Sequence, residues 1–255
     1  MIRVRAGGRE FQSELFVFDK DGLLFKSMTF WKNLAAARIN ALAELAGAGL
    51  TSGWTKLMGI ETDCGPDGIR VTYVNATGCF ALASPNEECI VTAGYLAANS
   101  ERPWNEARAL GREIFSLADS SFDLKAALEP RKGFPEIFGR LREANVKYGI
   151  ATSDNYERTI QSIEIFDDPS KLAFIITPED VTRGKPDAEM IEQISKTMGV
   201  APRYITMIGD SYVDALMAKN AGAVCVGMPE SLEMEEQIKR YTDIIVSDFD
   251  EIVLG

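Results

Sequence analysis

The sequence predicts an α/β fold, a parallel sheet covered by helices, with a mainly helical insertion after the first core strand. Two observations carry this. From about residue 130 onward, short β-branched runs alternate with helical segments. Ahead of them stands a lone apolar strand, Glu14 to Asp19, followed abruptly by helical periodicity.

Taken in order, the chain opens with Ile2 to Val4 and a Gly7-Gly8 turn, which together predict a small hairpin at the sheet edge. The strand Glu14 to Asp19 comes next. From Phe30 to Leu45 the apolar residues Trp31, Leu34, Ala35, Leu42 and Leu45 share one helical face. Gly47 to Pro103 is richer in Gly, Thr, Asn and Cys and only weakly periodic, and a further helix is expected from Asn105 to Ala118. The remaining strands are expected at Val146 to Ala151, Leu172 to Ile176, Tyr204 to Ile208, Ala223 to Val226 and Asp243 to Val246. Between them, Pro186 to Met198 places Met190, Ile191, Ile194 and Met198 at helical spacing behind a proline suited to a first turn.

Composition narrows the function. The 255 residues, 46% hydrophobic and 25% charged, suit an ordinary globular protein with an ample core. With no apolar run long enough to span a bilayer and no basic leader, the expected location is cytoplasmic. The net charge of -11 repels phosphate backbones and anionic membranes, so neither nucleic acid nor membrane is an expected partner. An anionic substrate must be captured by local positive charge. The absence of histidine removes Ser-His-Asp and Cys-His triads and His-bearing zinc patterns, leaving carboxylates, lysine and hydroxyls to carry the chemistry. Cys64, Cys79, Cys89 and Cys225 lack CxxC spacing and are expected as reduced thiols.

Four polar clusters lie at expected strand ends, where an α/β sheet places its ligand crevice. The first strand runs into Asp19-Lys20-Asp21-Gly22, which alone also fits a solvated turn. Thr152 and Ser153 follow the strand Lys147 to Ala151, and there Asp154 and Glu157 could form a capping relation at a helix start. Lys185 sits in Gly184-Lys185-Pro186. Gly209-Asp210-Ser211 leads to Asp214, where Ser211 and Asp214 also fit a capping box. Capping leaves Asp210 unexplained: a carboxylate just after a buried strand is costly unless paired or bound to a cation, and hard oxygen ligands suit magnesium.

In that order, Asp-x-Asp-Gly, a strand-end hydroxyl, Gly-Lys-Pro and Gly-Asp-Ser-x-x-Asp resemble the four motifs of the haloacid dehalogenase (HAD) superfamily of phosphohydrolases, in its phosphoglycolate phosphatase and β-phosphoglucomutase-like branch. The resemblance implies a Rossmann-like α/β catalytic core over residues 1–24 and 128–255 and a mainly helical cap domain over 25–127. Leu128 to Leu141 resembles the segment that re-enters the core, and Asp243 to Ile252 the terminal strand and turn. Residues 47–103 are poorly covered.

By this resemblance Asp19 is the nucleophile, forming a phospho-aspartyl intermediate, and Asp21 is the general acid and then the base. Thr152, Ser153 and Lys185 bind the phosphoryl oxygens. Mg2+ is held by Asp19, the Asp21 backbone carbonyl and Asp210, with Asp214 on the metal or its water. Keeping Asp21 protonated near neutral pH requires about 4 kcal/mol of stabilisation, which substrate oxyanions and a closed cap would supply. The second aspartate favours phosphate esters over carbon-halogen or carbon-phosphorus cleavage, so the implied partner is a small phosphorylated metabolite.

Lys26, Lys32 and Arg38, near the expected hinge, are either solvated charges or contacts for a second anionic group. Lys20 departs from the family, which usually has an apolar residue between the aspartates, and Leu23 replaces a common threonine or valine. A phosphomutase and a catalytically silent phospho-ligand binding protein are the rival readings. The β-phosphoglucomutases carry a hinge histidine that is missing here, and a silent binder is expected to lose Asp19, Asp21 or Lys185, all present.

Overall fold

The computed structural model describes residues 1–65, 68–242 and 244–255. The strands are β1 (Ile2–Ala6), β2 (Arg9–Ser13), β3 (Leu15–Phe18), β4 (Ile60–Gly65), β5 (Gly68–Val74), β6 (Lys147–Ala151), β7 (Ile175–Ile176), β8 (Ile205–Gly209), β9 (Val224–Gly227) and β10 (Val253–Leu254). The longer helices are α1 (Ser27–Ala46), α2 (Thr51–Met58), α3 (Pro85–Asn99), α4 (Trp104–Ser121), α5 (Glu136–Glu143), α6 (Tyr156–Glu164), α7 (Glu189–Met198), α8 (Tyr212–Ala221) and α9 (Leu232–Ile238). They divide into two compact units, Met1–Ser27 with Glu129–Gly255, and Met28–Leu128.

The first unit holds a five-stranded sheet in the order β7-β6-β3-β8-β9, with every neighbouring pair parallel. The strand of this sheet that comes earliest in the chain, β3, is therefore central, and the connections leave it on both sides. All four residues of β3 are buried, as expected for a parallel strand covered on both faces. Its alternating side chains divide between two cores. Leu15 and Val17 pack with Met190, Ile191, Ile194, Met207 and Met217. On the other face, Phe18 meets Phe138 edge-on at 5.1 Å, with Tyr148 and Phe249 at 6.5 and 6.0 Å. This double packing fixes the carboxyl end of β3, where Asp19 begins.

Several elements differ from expectation. The hairpin β1-β2 forms around Gly7 and Gly8, whose φ of 52° and 73° demand glycine-like freedom. It joins β10 in a separate three-stranded sheet rather than the edge of the main one. The run Leu172 to Ile176 bonds to β6 through Ala173 N–H to Tyr148 O and Ile150 N–H to Phe174 O, yet only Ile175–Ile176 is regular strand. The helix expected from Pro186 begins at Glu189, because Asp187 first accepts the Glu189 N–H in a turn. Of the strand expected at Asp243 to Val246, Asp243 lies outside the described residues, and Ile245 makes only an isolated bridge to Gly227.

The second unit shows what weak periodicity concealed. Residues 47–103 contain α2, α3 and the antiparallel pair β4-β5. Helix α3 starts at a capping box in which Ser84 and Glu87 satisfy each other's backbone N–H groups. The buried Trp54 indole N–H donates to Thr92 Oγ1 at 2.9 Å, joining α2 to α3. Arg38 is 1% exposed. It donates to Phe115 O at 2.8 Å, pairs with Asp119 at 3.0 Å and lies 3.8 Å over the Phe115 ring. Arg38 thus ties α1 to α4 and is neither a solvated charge nor an arm for an anion. Among the described residues, no helix is long and apolar enough to cross a membrane.

Candidate active site

Asp19, Thr152 and Asp210 each directly follow one of three adjacent strands, β3, β6 and β8. The Asp19 N–H donates to Ile208 O at 3.0 Å, extending the ladder to Asp19. Beyond it the chain turns back on itself: Leu24 N–H donates to Lys20 O at 2.9 Å and Gly22 N–H to Phe25 O at 2.8 Å. Gly22 has φ +90°, and a Cβ there would lie 2.1 Å from Asp210 Oδ2. Only glycine lets this turn approach Asp210 so closely.

Asp19, Asp210 and Asp214 are all buried and present carboxylate oxygens within 4.8 Å of one another. Lys185, its side chain 2% exposed, donates from Nζ to Asp19 Oδ1 and to Asp214 Oδ1, both at 2.6 Å. Asp214 Oδ2 accepts from the Ser211 N–H and hydroxyl. The capping box and the Lys185 contact therefore coexist in one side chain. One lysine stands against three carboxylates, and the electrostatics reflect the imbalance. Burial, with Asp214 and Asp21 nearby, pushes Asp19 up to about 7 despite Lys185. Burial and the charges of Asp19 and Asp214 hold Asp210 well above the usual carboxylate range. Burial would depress the Lys185 ammonium, but Asp19 and Asp214 outweigh it and raise it. An oxygen-only donor set with surplus negative charge fits a hard divalent cation.

Thr152 is 1% exposed, and its Oγ1 accepts the Asp154 N–H at 3.1 Å. Ser153 beside it is half-buried. Asp21 does not join the three-carboxylate cluster. Its Oδ1 accepts from Lys20 Nζ at 2.7 Å, and burial raises its pKa despite that contact. Lys26 pairs with Glu129 at 2.5 Å, and Lys32 is half-buried.

Three features were not legible. Asp154 is not the cap of α6; Asn155 is, accepting the Arg158 N–H, while Asp154 Oδ2 pairs with Lys20 at 2.9 Å. Arg131 donates to Gly22 O at 2.8 Å and to Met228 O at 2.5 Å, holding the turn after β3. Glu230 accepts from the Ser27 N–H and hydroxyl at the start of α1. A lysine between two site aspartates was a signal for a nearby carboxylate partner. Arg131 and Glu230 lie outside every motif and gave none.

The sequence matches the family model described as haloacid dehalogenase-like hydrolase over residues 14–222. It is 28% identical over 120 residues to validoxylamine A 7'-phosphate phosphatase of Streptomyces hygroscopicus subsp. limoneus, covering 47% of this chain and 55% of that one. It is 25% identical over 124 residues to pyrophosphatase PpaX of Oceanobacillus iheyensis, covering 47% and 58%. The chain spans about half the length of the curated relatives it matches. The fold is similar to that of a predicted phosphoglycolate phosphatase of Haemophilus somnus, with TM-score 0.66, 17% identity and coverage of 94% of this chain and 96% of that one.

Proposed function

This chain belongs to the haloacid dehalogenase-like hydrolases, and from that membership we propose that it hydrolyses a small phosphate monoester through a phospho-aspartyl intermediate on Asp19. The observation that carries the reading is the Lys185 bridge between Asp19 and Asp214, closed by Asp210. The bridge puts a fixed positive charge beside a carboxylate that must approach an anionic phosphoryl group.

In the first step an Asp19 carboxylate oxygen bonds to phosphorus as the ester P–O bond breaks, and Asp21 gives its proton to the departing oxygen. In the second, Asp21 takes a proton from water, the water oxygen bonds to phosphorus, and the bond to Asp19 breaks to release phosphate. Lys185, Thr152 and Ser153 orient the phosphoryl oxygens. Asp19, Asp210 and the Asp21 backbone carbonyl would hold Mg2+, with Asp214 directly or through water. Bound there, the ion shields the approach of carboxylate to phosphate. By family membership the second unit, Met28–Leu128, is the cap. Of the two curated relatives named above, one is named a 7'-phosphate phosphatase, in keeping with a phosphate monoester, and the other a pyrophosphatase.

The test is phosphate release by the purified protein with magnesium across a panel of small phosphate esters, beside Asp19→Asn. Release by wild type alone supports the reading. Equal release by both proteins removes Asp19 from the chemistry, and no release from any ester removes the phosphatase activity.

A further inference from the structure

Lys20 is 0% exposed, the most deeply buried ammonium position at the site's edge. Its Nζ lies 2.7 Å from Asp21 Oδ1 and 2.9 Å from Asp154 Oδ2. Asp154, its side chain 7% exposed, is fixed in turn: Oδ1 accepts the Asn155 N–H at 2.8 Å and pairs with Arg158 Nε at 3.3 Å. Arg158 is itself 8% exposed at its side chain. The four groups, two cationic and two anionic, join the loop after β3 to the loop after β6. Lys20 is also held at its backbone, since its carbonyl accepts the Leu24 N–H at 2.9 Å.

A buried ionic network of this kind is weak evidence of a stabilising role, because well-packed apolar replacements are often neutral or stabilising. An apolar side chain would fill the position at lower desolvation cost. What an apolar residue cannot do is hold one oxygen of the neighbouring carboxylate. We propose that Lys20 is a positioning residue for Asp21, anchored by Asp154 and Arg158. It engages Oδ1 and so leaves Oδ2 as the oxygen that transfers the proton. General acid-base catalysis demands such placement, since the proton must pass over a hydrogen-bond distance of about 2.6–3.2 Å. An untethered aspartate would distribute over its staggered rotamers. The inference rests on the phosphatase reading.

The test compares wild type, Lys20→Met and the double variant Lys20→Met/Asp154→Asn on an alkyl phosphate and on p-nitrophenyl phosphate, with magnesium and with melting temperature measured in parallel. The double variant removes one charge of each sign, which keeps Asp21 and Arg158 balanced and guards against misfolding. For it we expect a melting temperature near wild type and little change in KM. Its kcat on the alkyl ester should fall on the order of 100-fold, the scale of a general acid-base contribution. Because p-nitrophenolate leaves without a proton, its release should show a burst of one equivalent followed by a slow phase limited by dephosphorylation. Wild-type kcat in the double variant overturns the inference. So does a loss of kcat tracked by an equal fall in melting temperature, which makes the network a structural strut, or a loss expressed in KM, which makes it a phosphate contact. If wild type is inactive on both esters, the phosphatase reading fails and this inference with it; an active wild type and an unimpaired double variant defeat this inference alone.

Discussion

The Lys185 ammonium donates to Asp19 Oδ1 at 2.6 Å, across 166 residues of sequence. The contact joins the loop before α7 to the end of β3, and the same nitrogen reaches Asp214 at 2.6 Å. It balances part of the charge of three buried carboxylates.

Replacing Lys185 by Met leaves those carboxylates without their lysine. Breaking a buried pair by removing one partner costs about 3–5 kcal/mol, and in a chain of this size each kcal/mol is worth about 2–4 °C. A Lys185→Met protein without metal at neutral pH should therefore melt roughly 10 °C lower in calorimetry. Its phosphate release should fall at least about 100-fold, the scale of losing one oriented donor to the transition state.

Asp210→Asn should act in the opposite direction on the metal-free protein. It removes a buried carboxyl group whose ionised form burial, Asp19 and Asp214 oppose, so the melting temperature should rise or hold. The stabilisation by magnesium should vanish with it. In wild type, magnesium at about 100 times its dissociation constant should contribute about 2.7 kcal/mol, several degrees in a melt with and without the ion.

The stabilisation by magnesium should also grow with pH. Asp19 is raised from 3.8 to about 7, so between those values the folded protein retains a proton that the unfolded chain has released. Stability of the metal-free protein from this group is full below 3.8 and is lost as pH rises towards 7. A cation that binds ionised Asp19 must displace that proton at low pH and meets none above 7. Melting shifts on adding magnesium should thus be small at pH 5 and large at pH 8, and a shift independent of pH would contradict the charge balance described here.

Arg38→Met separates structure from substrate contact in the second unit. Loss of the Phe115 carbonyl bond and the Asp119 pair should lower the melting temperature by several degrees, at about 1–3 kcal/mol for leaving a buried polar partner unsatisfied. KM for a small phosphate ester should stay unchanged, because the guanidinium is committed within the unit.

The core was legible because its signals are local. The apolar strand Leu15–Phe18, the β-branched runs and the polar residues at their ends predict both the sheet and the place where Asp19, Thr152 and Asp210 begin. What could not be read depends on contacts between distant residues. Nothing near Asp154 in sequence shows that its partner is Lys20 rather than a helix N-terminus. Nothing near Arg38 shows the Phe115 carbonyl that buries it. Residues 47–103 looked irregular because α2 has only 8 residues and α3, though 15 residues long, buries Glu88, Thr92, Ala93 and Leu96 rather than a continuous apolar stripe.

The most direct measurement is mass analysis of the peptide containing Asp19 after rapid acid quench of the protein turning over a phosphate ester with magnesium. The account predicts a phosphoryl group covalently attached at Asp19, absent from Asp19→Asn and from wild type without substrate. Active turnover with no phosphoryl group on Asp19 at any quench time, or the group on another residue, would contradict it.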